Sequence, residues 1–330
     1  IVSLLLGSCQ AIKQQPANAD SVFASQDAEI LSQRCSAATA DLQQQLIALE
    51  NNISDASDLS FLTDLDNFYI HLENNYSVAQ LFSNTHPDAD MRSSASDCQK
   101  SVESVLTDAN LSQAIYQQLQ QIDSSNSDAI TQRYHKKLLN DFTRSGVDKD
   151  EQLRDTLRQL QIDIADTGQQ FSKNIREDVR HITIDSIDEL KGLPQDYIDG
   201  LAKNAEGQWL ITTDYPSIFP FLRYAHNDKK RLAIYKLFLN RGYPDNEALL
   251  KQIISQRDQL AKHLGYNTYA EYVTEVAMIA TPSNASTFID RIATLAKSRS
   301  DRDYDQLLAQ LQTIDPQAQQ VGNWQKAFLE

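Results

Sequence analysis

The chain has 330 residues, more than one average domain needs, and its nine glycines and eight prolines are few enough to favour long helices. Its formal net charge of −15 argues against a nucleic-acid-binding protein, because such proteins usually carry a basic surface. The negative charge can keep the protein soluble, or it can favour the binding of cationic peptides.

The first residues resemble the end of an export signal. Residues 1–6 form a short apolar run, and Gly7 and Ser8 precede Cys9. The Leu-Gly-Ser-Cys string resembles a bacterial lipobox, in which Cys9 would be lipidated. Residues 10–26 are polar and predict a tether. Because Gln rather than Asp follows Cys9, we expect a lipid anchor in the periplasm-facing outer membrane of the cell envelope.

Residues 27–180 predict a helical N-terminal domain. Apolar residues recur every three or four positions, with breaks at 51–52, 86–87 and 124–127. Cys35 and Cys98 lie on two of these apolar stripes. An exported protein can join such cysteines, but buried free thiols behave as small apolar side chains. We therefore favour free thiols.

Near residue 180 the pattern changes. Residues 181–185 and 209–213 predict two short strands around a Gly-Leu-Pro turn at 192–194. We place a domain boundary here, so that residues 181–330 begin a second domain. The predicted fold class is mainly α, with a small β element near 181–213.

Helices return after Pro220. Four residues are placed to cap them: Asp228, Asn246, Thr268 and Thr281. The last long helix is predicted to turn five apolar side chains inward, namely Phe288, Ile292, Leu295, Leu307 and Leu311. The sequence stops inside an apparent new helix at 324–330, and we expect it to be the truncated beginning of a longer protein.

No catalytic constellation is found. No two of the six histidines lie four residues apart, so no helix can present the paired imidazoles of an H-E-x-x-H zinc site. Glu177 and His181 have a suitable spacing, but they flank a helix-to-strand junction, where we expect a surface pair. We therefore assign no catalytic and no metal-binding residue.

Several blocks nevertheless match one protein family by order and spacing. In chain order they include LNDFTRSGV at 139–147, GQQFSKNI at 168–175, ELKGLP at 189–194, YPSIFPFL at 215–222 and MIATP at 278–282. They resemble the zinc metallopeptidases that include thimet oligopeptidase, neurolysin, oligopeptidase A and the dipeptidyl carboxypeptidases. The similarity covers about residues 60–330. It departs from the family at Ile279, where many relatives have Ala, and at Gln325, where they have Asp after Trp324.

The resemblance implies a mostly helical, two-lobed protein whose narrow channel admits short peptides. It also implies Zn²⁺ held by an H-E-x-x-H helix and a later glutamate, with the motif's glutamate activating a zinc-bound water. Those residues would follow Glu330. The 330 residues would then supply the N-terminal lobe and be inactive alone. We expect short peptide substrates, no nucleic acid partner, and a monomer when full length.

The matched side chains also have structural interpretations. Tyr215, Phe219 and Phe221 are predicted to pack the core. Three arginines are predicted to pair with carboxylates rather than touch substrate: Arg223, Arg231 and Arg257. The alternative function is a non-catalytic helical lipoprotein that binds peptides or protein partners.

Overall fold

The computed structural model describes residues 27–52 and 59–330. The lipobox with Cys9 and the tether at 10–26 lie outside the described residues. The chain divides between Ile162 and Asp163 into two compact units. The domain boundary predicted near residue 180 lies downstream of this division and stays a prediction.

The first unit is built from helices. They are α1 (Ala28–Glu50), α2 (Ser60–Thr85), α3 (Ala89–Asn110), α4 (Gln113–Gln121), α5 (Ala129–Ser145) and the start of α6 (Glu151–Glu177). The carboxylates of Asp27, Asp88 and Asp128 accept hydrogen bonds from first-turn amides and so begin α1, α3 and α5. Gly146 ends α5 with φ 94°, a left-handed conformation that glycine adopts without strain.

The apolar stripes read from the sequence form the core of this unit. Phe61 and Phe68 of α2 are buried together with Val102 of α3, Ile115 of α4 and Phe142 of α5. Burying such side chains stabilises the fold by about 1.5–3 kcal/mol each. Periodicity therefore identified both the helices and the faces that they bury.

Cys35 and Cys98 form a disulfide that joins α1 to α3, with their Cα atoms 5.7 Å apart. The prediction of free thiols is therefore wrong. Both cysteines do lie on buried stripes, but the two stripes face each other, and sequence spacing does not report that distance. The bridge closes a loop over a sequence separation of 63.

The second unit holds a two-stranded antiparallel sheet. Strand β1 (His181–Ile184) pairs with β2 (Trp209–Thr212), and Ile182 lies opposite Ile211. A 3-10 turn (Ile187–Leu190) and α7 (Gln195–Asp199) connect the strands. The other helices are α8 (Tyr215–Tyr224), α9 (Asp228–Leu239), α10 (Asp245–Leu264), α11 (Tyr269–Thr274), α12 (Pro282–Ile314) and α13 (Lys326–Leu329). The predicted class, mainly α with a small β element, is confirmed.

Two of the four predicted helix caps are confirmed. The hydroxyls of Thr268 and Thr281 accept from the amides three residues on and begin α11 and α12. In α9 the cap is Asn227, one residue before the predicted Asp228. Asn246 lies inside α10 and caps nothing.

The apolar face of α12 is largely uncovered among the described residues. Leu311 is buried, but Phe288, Ile292 and Leu295 are 56%, 48% and 66% exposed. The prediction that these three point inward is wrong for the described structure, because periodicity defines an apolar face without defining what covers it.

No helix in the described ranges is both long and apolar enough to cross a membrane.

Removing the disulfide should destabilise the first unit. Replacing both cysteines, Cys35→Ser with Cys98→Ser, frees the unfolded chain over the 63-residue separation. We expect the free energy of unfolding to fall by about 2–4 kcal/mol. Urea unfolding, monitored by hydrogen exchange in peptides from α1 and α3, measures this loss. A reductant should destabilise the unaltered chain equally and leave the double variant unchanged; equal stability of all three samples would contradict the argument.

Candidate functional site

The described residues are not arranged to hold zinc. Ranges 27–52 and 59–330 contain no group of three or more His, Cys, Asp or Glu side chains that could bind a metal ion. The buried His135, for example, contacts Ser124 Oγ at 3.0 Å and the Leu119 carbonyl at 2.8 Å. Both of its ring nitrogens therefore have protein partners. The donor set of this part of the chain does not fit the metal, and we derive no reaction step through it.

Asp228 connects the start of α9 to the C-terminal segment of the second unit. Its Oδ1 accepts hydrogen bonds from Arg231 Nη2 at 2.8 Å, Trp324 Nε1 at 3.0 Å and Gln325 Nε2 at 2.9 Å. Asn227 caps the helix instead, which leaves the Asp228 carboxylate available for these donors. Three donors on one oxygen compensate its charge and hold Trp324 and Gln325 against α9.

Arg231 is the buried partner of this carboxylate, with 2% of its surface exposed. Its Nη1 donates to the Ala225 carbonyl, and its guanidinium carbon lies 3.9 Å from the centre of the Phe328 ring. Burial lowers the pKa of Arg231, while the charge of Asp228 acts in the opposite direction. The predicted carboxylate partner is therefore confirmed for Arg231.

The other two matched arginines lie over aromatic rings. The guanidinium of Arg223 is 5.9 Å from the ring centre of Tyr224, and that of Arg257 is 5.3 Å from the ring centre of Tyr269. Contacts of this kind stabilise a cation by roughly 0.5–2 kcal/mol. These arginines are thus held by α8 and α11 aromatics.

The Gly-Leu-Pro turn at 192–194 packs against the segment that leads into α9. Gly192 has φ 94°, and a Cβ there would collide with the Tyr224 carbonyl and the His226 ring. The His226 amide donates to the Lys191 carbonyl at 2.9 Å. A glycine is therefore required at this position, both for the backbone conformation and for the close packing.

Helix α8 turns its aromatic residues in two directions. Phe221 is fully buried, as predicted, but Tyr215 and Phe219 are 59% and 50% exposed, so their predicted place in the core is wrong. They contact Phe238 of α9, and Arg241 lies 4.2 Å from the centre of that ring. Helical spacing did not give this result, because positions 215, 218, 219 and 222 fall on one face of a helix and only the packing of the neighbouring elements decides which of them are covered.

Sequence reasoning missed a polar contact between α6 and α10. The Asn246 side chain accepts from Asn174 Nδ2 at 2.8 Å and donates to the Phe171 carbonyl at 2.9 Å. Gly242, which precedes α10, donates from its amide to Asp178 Oδ2 at 2.8 Å. Arg180 hydrogen-bonds the same carboxylate, and this bond is the main reason why the pKa of Asp178 lies below its usual value.

The match to a known protein family lies within the second unit. Residues 221–328 match the model of peptidase family M3. The chain is 26% identical over 177 residues to "Thimet-like oligopeptidase" of Dictyostelium discoideum, which covers 53% of this chain and 26% of that protein. It is 27% identical over 183 residues to "Oligopeptidase A" of Haemophilus influenzae, covering 51% and 27%. With "Saccharolysin" of Saccharomyces cerevisiae the identity is 32% over 148 residues, covering 43% and 20%.

Two of these relatives carry oligopeptidase in their names, and this is the class of protein that the chain resembles. More particularly, residues 221–328 resemble peptidase family M3, a family of zinc metallopeptidases, and the resemblance read from the sequence blocks is confirmed. The matched segments span about a quarter of the length of these relatives. The matched region, 221–328, contains both Arg231 and Trp324 and thus the whole Asp228 cluster.

Removing the Asp228 carboxylate should destabilise the second unit. Asp228→Ala leaves the buried Arg231 without its counter-charge and deprives Trp324 Nε1 and Gln325 Nε2 of their acceptor. We expect the free energy of unfolding to fall by about 2–3 kcal/mol. Urea unfolding followed by Trp324 fluorescence, in a Trp209→Phe background, measures the change.

The matched control for this prediction is Asp305→Asn, which removes an exposed carboxylate on α12. It should change the unfolding free energy by less than about 0.5 kcal/mol. If Asp228→Ala were as mild as the control, the cluster would not stabilise the unit.

Proposed function

We propose that these 330 residues form the non-catalytic N-terminal part of a zinc-dependent oligopeptidase that hydrolyses short peptides. The observation that carries the proposal is the match of residues 221–328 to peptidase family M3 in a sequence that contains no H-E-x-x-H motif. The metal-binding residues would then come from another part of the full-length protein.

The residues of this chain would shape the substrate channel and would take no part in breaking the peptide bond. The Asp228 cluster fixes the C-terminal segment on α9, and the Asn246 contacts fix α10 on α6. Rigid helices of this kind can form the wall of a channel that accepts extended peptides and excludes folded proteins by size. The net charge of −15 would favour cationic peptides entering such a channel.

The proposal that these residues do not catalyse hydrolysis can be tested on the purified 330-residue chain. We expect no stoichiometric zinc by atomic emission and no hydrolysis of a quenched fluorescent peptide, with or without added Zn²⁺. The coding sequence beyond Glu330 is expected to encode H-E-x-x-H, and the longer product should cleave the same peptide. Zinc-dependent hydrolysis by the 330 residues alone would overturn the proposal.

The alternative is a non-catalytic lipoprotein that binds peptides or protein partners. The exposed apolar residues of α12 favour it, because uncovered patches of this kind are typical of interaction surfaces. The two functions differ in what the gene encodes: a reading frame that stops soon after Glu330 would favour the alternative.

We also propose that the protein is exported and anchored through a lipid on Cys9, in the periplasm-facing outer membrane. The Cys35–Cys98 disulfide supports export, because stable disulfides form mainly in oxidising compartments. In a Gram-negative host expressing the exported chain, Cys9→Ser should move the protein from the membrane fraction to the soluble fraction. A Ser8→Ala variant should remain in the membrane; equal membrane association of both variants would count against lipidation of Cys9.

A further inference from the structure

A groove of 220 Å³ between α1 and α3 has the Cys35–Cys98 disulfide in its wall. It lies entirely within the first unit. Both cysteines keep a small exposed fraction, 5% for Cys35 and 3% for Cys98. Apart from one alanine, the other lining side chains are polar, and Asp97 is the only ionisable one among them. A thiol of a few heavy atoms can therefore enter the groove and meet the disulfide, whereas a folded protein is too large.

The two sulfur atoms of the bridge differ in their surroundings. Thr39 Oγ1 lies 3.9 Å from Cys35 Sγ, one turn further along α1. A disulfide sulfur carries no proton, so the threonine hydroxyl is the donor in this contact. The contact strengthens when Cys35 becomes a thiolate, because hydrogen bonds to charged groups are stronger than neutral ones. In thiol–disulfide exchange the more stable thiolate leaves faster. Cys35 is therefore the better leaving group, and an incoming thiol should attack Cys98.

The charge of the groove decides which thiols react. Asp97 is exposed and precedes Cys98 on α3, so its carboxylate lies at the mouth of the groove. An attacking thiolate is itself negative, and the carboxylate repels it. A thiol that also carries an ammonium group has no net charge as its thiolate, and its ammonium can pair with Asp97. The groove thus favours small cationic thiols over anionic ones.

We propose that this groove is a site of reversible modification, at which a small cationic thiol forms a mixed disulfide with Cys98. The thiolate sulfur bonds to Cys98 Sγ, the Cys35–Cys98 bond breaks, and its electron pair leaves on Cys35, which is then a thiolate or takes a proton from water. Attack by Cys35 on the mixed disulfide reverses the step and releases the thiol. The modification removes the covalent link between α1 and α3. It does not depend on the proposed peptidase function.

Three small thiols of different charge test the preference: cysteamine, 2-mercaptoethanol and 2-mercaptoethanesulfonate. The 330-residue chain is used with Cys9→Ser, which removes the third cysteine. Mass spectrometry after acid quenching and alkylation follows the loss of the disulfide, and peptide mapping locates the added thiol. Dividing each rate by that of the same thiol with the urea-unfolded chain cancels differences in nucleophilicity. This ratio should be higher for cysteamine than for the sulfonate by about fivefold or more, with 2-mercaptoethanol between them. The mixed disulfide should form on Cys98. Equal ratios for the three thiols, or a mixed disulfide mainly on Cys35, would overturn the proposal.

Two variants, each with a matched control, test the groove itself. Asp97→Asn should reduce the preference for cysteamine to below about twofold, whereas Asp64→Asn, which removes an exposed carboxylate of α2 outside the groove, should preserve it.

Thr39→Val removes the hydroxyl beside Cys35 and keeps the shape of the side chain. It should slow the reaction of cysteamine by about threefold or more and spread the modification over both cysteines. Its control is Ser36→Ala, because the Ser36 hydroxyl donates to the Ser32 carbonyl instead of a sulfur atom. If both groove variants behaved like their controls, the groove would not direct the exchange and the proposal would fail. Because the assay follows the disulfide and not hydrolysis, its failure would leave the proposed peptidase function untouched.

Discussion

The buried guanidinium of Arg231 is the constraint on which the second unit depends. A charged group with 2% of its surface exposed is tolerated only when a counter-charge and hydrogen-bond acceptors surround it. Asp228 and the Ala225 carbonyl meet that requirement from the start of α9. Because the same Asp228 oxygen accepts from Trp324 and Gln325, the neutralisation of one arginine also fixes a segment about a hundred residues further along the chain.

This cluster gives Gln325 a structural role. The resemblance described above implies Asp after the tryptophan, whereas this chain has Gln325. An aspartate there would be a second carboxylate beside Asp228 and could not donate to it. The glutamine amide donates to Asp228 Oδ1 at 2.9 Å. Gln325 therefore holds its block on α9 through a hydrogen bond that an aspartate at this position could not donate.

Local signals predicted local structure well, and contacts between distant residues account for what they missed. Thr281 followed by Pro282 sets the first turn of α12 by itself, and the alternation at 181–185 suffices for a strand. Asn246 has a good capping side chain, yet it lies inside α10 because Asn174 and the Phe171 carbonyl, more than seventy residues away, bind it instead. The cysteine pairing and the Asp228 cluster have the same origin: each joins segments that no periodicity connects. The absence of a zinc motif could be read from the sequence directly, since the metal ligands of such a site need fixed spacing.

In the described residues, contacts within the chain itself stabilise each of the two units. The first unit is constrained by a disulfide between α1 and α3, and the second by hydrogen bonds to one carboxylate. Small metal-dependent domains behave differently, because their binding free energy is also their folding free energy. Under the proposed function, the geometry that guides a peptide would be established by this part of the chain separately from the zinc centre that cleaves it. Such a scaffold would suit an oligopeptidase of the proposed kind, because its substrate-selecting wall and its catalytic centre would lie in different parts of the sequence.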